Sequence, residues 1–148
     1  MFTALELVES LHGFLSSANY SVRLPKSLDG VVSIEFLDFH LEFAFPDASR
    51  PNKLRILVDG KNIDAGLADF LKPERIDEVY AGFSESVRLH RDAYRQVITE
   101  YSVRANRLGV DYTAVLEEDA NSEQVFNAIF DAVIRPAIFY GRQRTGKI

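Results

Sequence analysis

Asp59-Gly60-Lys61 sets a carboxylate and an ammonium two residues apart, and Asp38 precedes them on a strand-like stretch. Two carboxylates and a lysine can hold Mg²⁺ and polarise a phosphodiester. If residues 31–45 and 53–59 form a hairpin, Asp47 of Pro46-Asp47 falls at its loop end. Asp59 is then about 20 Å away at roughly 3.3 Å per residue. Asp38 is better placed, because a register pairing Phe45 with Lys53 sets Phe39 beside Asp59. Glu6 or Glu9 from a first helix would complete the site. The competing reading is plain: Asp-Gly-Lys-Asn is an ordinary turn sequence.

Other groupings carry less. Asp38, His40 and Glu42 alternate along one strand face, where a row of this kind can converge on a metal or merely face solvent. Glu9 and His12 make a single Glu-x-x-His step, whereas a di-iron bundle needs two. Gly82-Phe83-Ser84-Glu85-Ser86 lacks the last glycine and the preceding strand of a nucleophile elbow. His90 falls in an apolar stripe and reads as a core or interface histidine. Gly141-Arg-Gln-Arg-Thr-Gly146-Lys147 approaches a phosphate-binding loop, but Ile148 stands where Ser or Thr would hold Mg²⁺ and no following helix is given. It reads as a basic tail, residues 142–148, behind a single domain, residues 1–141. No metal, cofactor or catalytic residue is expected from these patterns.

The elements that must position these residues are marked unevenly. Leu5, Val8, Leu11 and Leu15, widened by Leu7 and Phe14, predict a helix over 2–17. A short strand over 20–24 and a turn at PKSLDG follow. In VVSIEFLDFHLEFAF, Val32, Ile34 and Phe36 alternate with polar residues, and then Phe39, Leu41, Phe43 and Phe45 do so in the opposite phase. A period-2 pattern changes face only through an extra residue, which predicts a bulge or tight turn at 36–38. KLRILVD is a further strand, with a turn signal at Asp59-Gly60. Asn121, with Gln124 three residues on, caps a last amphipathic helix along Val125, Ile129 and Val133, which Pro136 stops or kinks.

Residues 74–108 admit two readings. Ile76, Tyr80, Phe83, Val87, His90, Tyr94, Val97, Tyr101 and Leu108 recur at near-heptad spacing. One helix would run about 52 Å, against about 38 Å for the width of a domain this size. It would protrude or pack on a second chain. Alternatively Gly82 breaks it, and Val97–Val103, rich in β-formers, pairs with Tyr112–Leu116 as a hairpin.

Composition narrows the classes. The 148 residues allow one domain with one core, and 47 % apolar with 26 % charged residues is an ordinary globular balance. Eleven Phe and six Tyr point to an aromatic core, and the absence of Cys excludes disulfides and thiolate chemistry and fits a reducing cytosol. A net charge of −5 argues against a broad nucleic-acid surface. The first residues lack a basic region, Glu6 and Glu9 interrupt them, and no stretch reads as a membrane span.

The order of helix, three strands, helix and strand resembles the core of the PD-(D/E)XK nucleases, whose motif Asp47 and Asp59-Gly60-Lys61 spell loosely. The whole layout also resembles the type III secretion chaperone-like fold, which includes the YbjN-like proteins. LELVESLHGFL is similar to its first helix, VVSIEFLDFHLEFAF and KLRILVD to its meander, and VDYTAVLEEDANSEQVFNAIFDAVI to its late strand, acidic turn and final helix. That resemblance implies a small cytosolic bacterial domain, often a homodimer, that binds another protein through apolar surface. It transfers no residue role.

Together these readings predict an α+β domain: an N-terminal helix, an antiparallel sheet of three to five strands, a long central helix, whole or broken, and a C-terminal amphipathic helix. The expected function is chaperone- or adaptor-like protein binding in the cytoplasm, without catalysis. The partner is another protein or a second copy, met through Tyr80, Phe83, Val87, Tyr94 and Tyr101. The enzyme alternative is a metal-dependent nuclease using Asp38, Asp59 and Lys61. A third alternative is an immunity or mobile-element accessory protein.

Overall fold

The computed structural model describes residues 3–47, 49, 51–61, 63–72, 96–105 and 109–145. Helix α1 (Ala4–Ser17) starts at Thr3, whose hydroxyl accepts the Glu6 amide at 3.1 Å. It ends at Asn19, whose φ of 67° lets the Tyr20 amide reach the Leu15 carbonyl. Leu7, Val8, Leu11 and Leu15 are buried, whereas Leu5 and Phe14 sit at the margin of the stripe.

Among the described residues, six strands form one antiparallel sheet in the order β1-β2-β3-β4-β6-β5, more than the three to five expected. They are β1 (Lys26–Leu28), β2 (Val31–Phe36), β3 (Phe39–Ala44), β4 (Lys53–Gly60), β5 (Ile98–Ala105) and β6 (Gly109–Leu116). The extra strand comes from PKSLDG, half of which pairs with β2. Asp29 and Gly30, with φ of 53° and 80°, make the two-residue turn that lets it do so. Of the strand expected over 20–24, only a bridge from Val22 to Phe36 forms. Asp59 and Gly60 close β4 and are not a hairpin turn.

The phase flip at 36–38 is a tight turn. Phe36 pairs with Phe39, and Leu37 and Asp38 stand outside the ladder. The next register is one residue from the expected one, with Ala44 opposite Arg55, so that His40 faces Asp59.

A single helix over 74–108 is ruled out at its end, because 98–105 is strand β5, paired with β6 through Val103–Tyr112 and Tyr101–Ala114. The hairpin reading holds there. Tyr101 stacks on Tyr112, centroids 5.2 Å apart, at the margin of the chain's own core. Tyr80, Phe83, Val87, Tyr94 and the centre of that stripe lie outside the described residues, as do Ser84 and His90.

Short helix α2 (Gly66–Phe70) follows β4. Helix α3 (Ser122–Ile129) has the full capping box: Asn121 Oδ1 accepts the Gln124 amide at 2.8 Å, and Gln124 Oε1 accepts the Asn121 amide at 2.9 Å. Pro136 does not stop the chain's helical course. It cannot donate to the carbonyl four residues back, and a π-helical stretch, Phe130–Ile134, widens the helix just before it. Helix α4 (Arg135–Thr145) then continues into the stretch read as a tail.

The helices and the sheet share one core. Val32, Ile34, Phe36, Leu41, Phe43, Leu54, Ile56, Val58, Tyr112 and Ala114 point into it with the apolar sides of α1, α3 and α4. The alternate residues, Ser33, Glu35, His40, Glu42, Leu57, Asp59, Asp111 and Thr113, form a half-exposed second face. No helix among the described residues is long and apolar enough to cross a membrane.

Candidate functional site

Charged side chains gather where the β2–β3 turn meets the end of β4. Glu35, His40 and Asp59 lie directly opposite one another on β2, β3 and β4, and Glu42 lies two residues along β3 on the same face. His40 Nδ1 is 3.3 Å from Glu35 Oε1, and Nε2 is 3.1 Å from Glu42 Oε2. Arg23 Nη1 donates to Glu35 Oε2 at 3.0 Å. With Ser21, Phe36, Leu37, Asp38, Phe39, Gly60, Lys61, Ile63 and Asp64, four of these five residues line an open cleft of about 750 Å³, Glu42 standing just outside it.

The backbone holds the cleft in shape. The Lys61 amide donates to the Asp38 carbonyl at 3.2 Å, which ties the turn to the end of β4. A Cβ on Gly60 would collide with that same carbonyl, and one on Gly109 would collide with the Val58 carbonyl. Asp59 is therefore flanked by two positions where only glycine fits. On the far wall, Asp64 Oδ1 accepts from Tyr140 Oη at 2.5 Å and from the Gly66 amide at 2.9 Å, tying α4 and α2 to the loop. Gly141 serves packing, since its Cβ position is 3.3 Å from the Phe39 ring. This glycine of the phosphate-loop lookalike thus lies within a helix against an aromatic side chain, and residues 146–148 are outside the described range.

The electrostatics follow from the crowding of charge. Partial burial acts to lower the pKa of His40, but its hydrogen bonds to Glu42 and Glu35, with the nearby charges of Asp59 and Glu42, outweigh it and raise the pKa above the ordinary value. Partial burial raises that of Asp59; the charges of Glu42 and Glu35 push the same way, and His40 opposes them. When His40 is protonated, both ring nitrogens can donate to these carboxylates.

The sequence-derived candidates divide cleanly. Asp38, Asp59 and Lys61 do line one cleft. Asp38 does not share a strand face with His40 and Glu42, because it lies in the turn. Glu6 and Glu9 are exposed on α1 and outside the cleft lining. Among the described residues, no group of three or more His, Asp or Glu side chains is arranged to hold a metal ion. Glu35, Arg23 and Asp64 were missed. Glu35 was open to discovery, since a two-residue turn at 37–38 sets residue 35 opposite residue 40.

No family model, curated protein or solved structure matches the chain.

Leu37 is the unusual member. It sits at the rim with φ of 51°, a backbone region costly for a branched side chain, and is 55 % exposed. Leu24, next to Arg23 in the chain, is 75 % exposed.

Proposed function

We propose that the chain is a non-catalytic protein-binding domain whose cleft receives a basic side chain of its partner. Leu37 carries the reading. Folding alone does not favour a leucine at positive φ, where Gly or Asn would sit without strain, and strain retained at a rim points to use there. Behind it, Asp38 and Asp59 present carboxylates that make no hydrogen bond or ion pair with a side chain among the described residues. A lysine or arginine entering beside Asp59 would meet its charge, while the exposed Leu37 at the rim would add an apolar contact beside it.

The test is a comparative capture from the native host. A protein retained by the wild-type chain should be lost with Leu37→Asp and with Asp59→Asn, both folded by circular dichroism. Equal retention by all three chains would overturn the reading.

One observation favours the nuclease reading, namely that Asp38, Asp59 and Lys61 share the cleft. The same register that brings Asp59 there also sets it against His40 and Glu35, away from a ligand fan around one ion. Calorimetric titration with Mg²⁺ decides the point: heat of binding lost in Asp59→Asn would favour the nuclease and displace the binding reading.

A further inference from the structure

We infer that β5 is the seam of a symmetric dimer, in which two copies of the chain pair their β5 strands antiparallel about Ser102. This goes beyond the cleft, which lies at the turn joining β2 and β3.

Among the described residues, strand β5 ends the sheet, with β6 as its one strand neighbour. Thr99, Glu100, Ser102, Arg104 and Ala105 are exposed. The irregularity in β5 falls between Ile98 and Glu100, so the run from Glu100 to Ala105 is a regular ladder. An exposed regular edge is a template for another strand unless something blunts it. Charges are the usual guard. Here the two charges are of opposite sign, four residues apart on one face.

Neither charge is satisfied among the described residues. Arg104 lies opposite Asp111 on β6. Yet Asp111 is taken by Arg55, whose Nε and Nη2 are 3.0 and 2.9 Å from its Oδ1. Glu100 lies opposite Val115. Neither Glu100 nor Arg104 makes a side-chain hydrogen bond or ion pair with any described residue.

Antiparallel geometry limits how such an edge can meet its own copy. Directly opposite residues either both exchange backbone hydrogen bonds or both do not. A strand pairing with itself across a twofold axis must therefore set one residue opposite itself. Centring on Ser102 puts Glu100 opposite Arg104, and symmetry repeats the pair. Centring on Tyr101 or Val103 leaves each charge opposite an uncharged residue. The Ser102 register also sets Tyr101 opposite Val103 on the other face, an aromatic and β-branched pair. The axis runs perpendicular to the sheet. The helical layers of both copies thus fall on one side, and twelve strands, six from each copy, form one continuous sheet.

The experiment is sedimentation velocity on the full chain over a micromolar concentration series. The wild type should dimerise. Arg104→Glu and Glu100→Arg each turn two attractive pairs into two repulsive ones and should weaken the dimer about tenfold. The double exchange, Glu100→Arg with Arg104→Glu, should restore it. A monomer throughout, a dimer indifferent to the single exchanges, or a double exchange that fails to rescue would each overturn the inference. Leu37→Asp should leave dimerisation unchanged, which keeps failure of the cleft reading separate from failure of this one.

Discussion

Replacing Leu37 separates its backbone conformation from its side chain. Leu37→Ala removes the isobutyl group and keeps a Cβ at φ 51°. Leu37→Asn removes a similar contact and substitutes a residue that tolerates the left-handed region. With Leu37 more than half exposed, the lost contact is worth at most about half of the roughly 1.5–3 kcal/mol of a fully buried leucine, and less once contacts in the unfolded chain are allowed for. The left-handed backbone costs about 1–2 kcal/mol for an ordinary residue, part of which the asparagine recovers. The Leu37→Asn variant should therefore be more stable than Leu37→Ala by about 0.5–1 kcal/mol. For a chain of this length that is roughly 1–4 °C in Tm. Urea unfolding followed by circular dichroism, with slopes compared to check the unfolded state, reads the difference. Both variants should lose the partner. If Leu37→Asn were no more stable than Leu37→Ala, or if both fell by the roughly 2–5 kcal/mol typical of a buried leucine, the argument from strain at an exposed rim would fail.

Three further outcomes follow from the packing and charge. Gly60→Ala should cost at least about 1–3 kcal/mol, because a Cβ there meets the rigid Asp38 carbonyl, and denaturant unfolding measures it. Asn121→Ala breaks the capping box and should cost about 1 kcal/mol by the same assay. The folded pKa values of His40 and Asp59 are both raised, so the folded state holds more protons than the unfolded one between each pair of values. Stability from protonated His40 is full below about pH 6.5 and fades as pH rises through the higher folded value. The wild type should thus lose its advantage over His40→Gln toward alkaline pH, and a difference that grows with pH would contradict the reading of His40.

The turn at 37–38 was legible because the apolar phase reverses at one point between Phe36 and Phe39, and a sheet with one buried face cannot absorb that silently. The cap at Asn121 belongs to the same legible class of local chemistry, since its partner Gln124 stands three residues away. What escaped was either non-local or carried no apolar period. The β3–β4 register depends on the loop after Phe45, and a one-residue error replaced His40 with Phe39 opposite Asp59. Strand β1 has no buried residue, so no periodic signal marked it. At 98–105, the heptad-like spacing of Val97, Tyr101 and Leu108 competed with β-propensity, and pairing with β6 decided it. The cleft needs three strands in the right register, which spacing alone cannot deliver.

The π-helical turn has a mechanical meaning for the cleft. Each such turn accommodates one residue more than an α-helical one, and one residue is worth about 100° of rotation. Phe130–Ile134 therefore acts as a phase shifter: it sets the azimuth at which Tyr140 finds Asp64 and Gly141 finds Phe39. Deleting a single residue within it would leave a helix of nearly the same length whose side chains address the wrong wall.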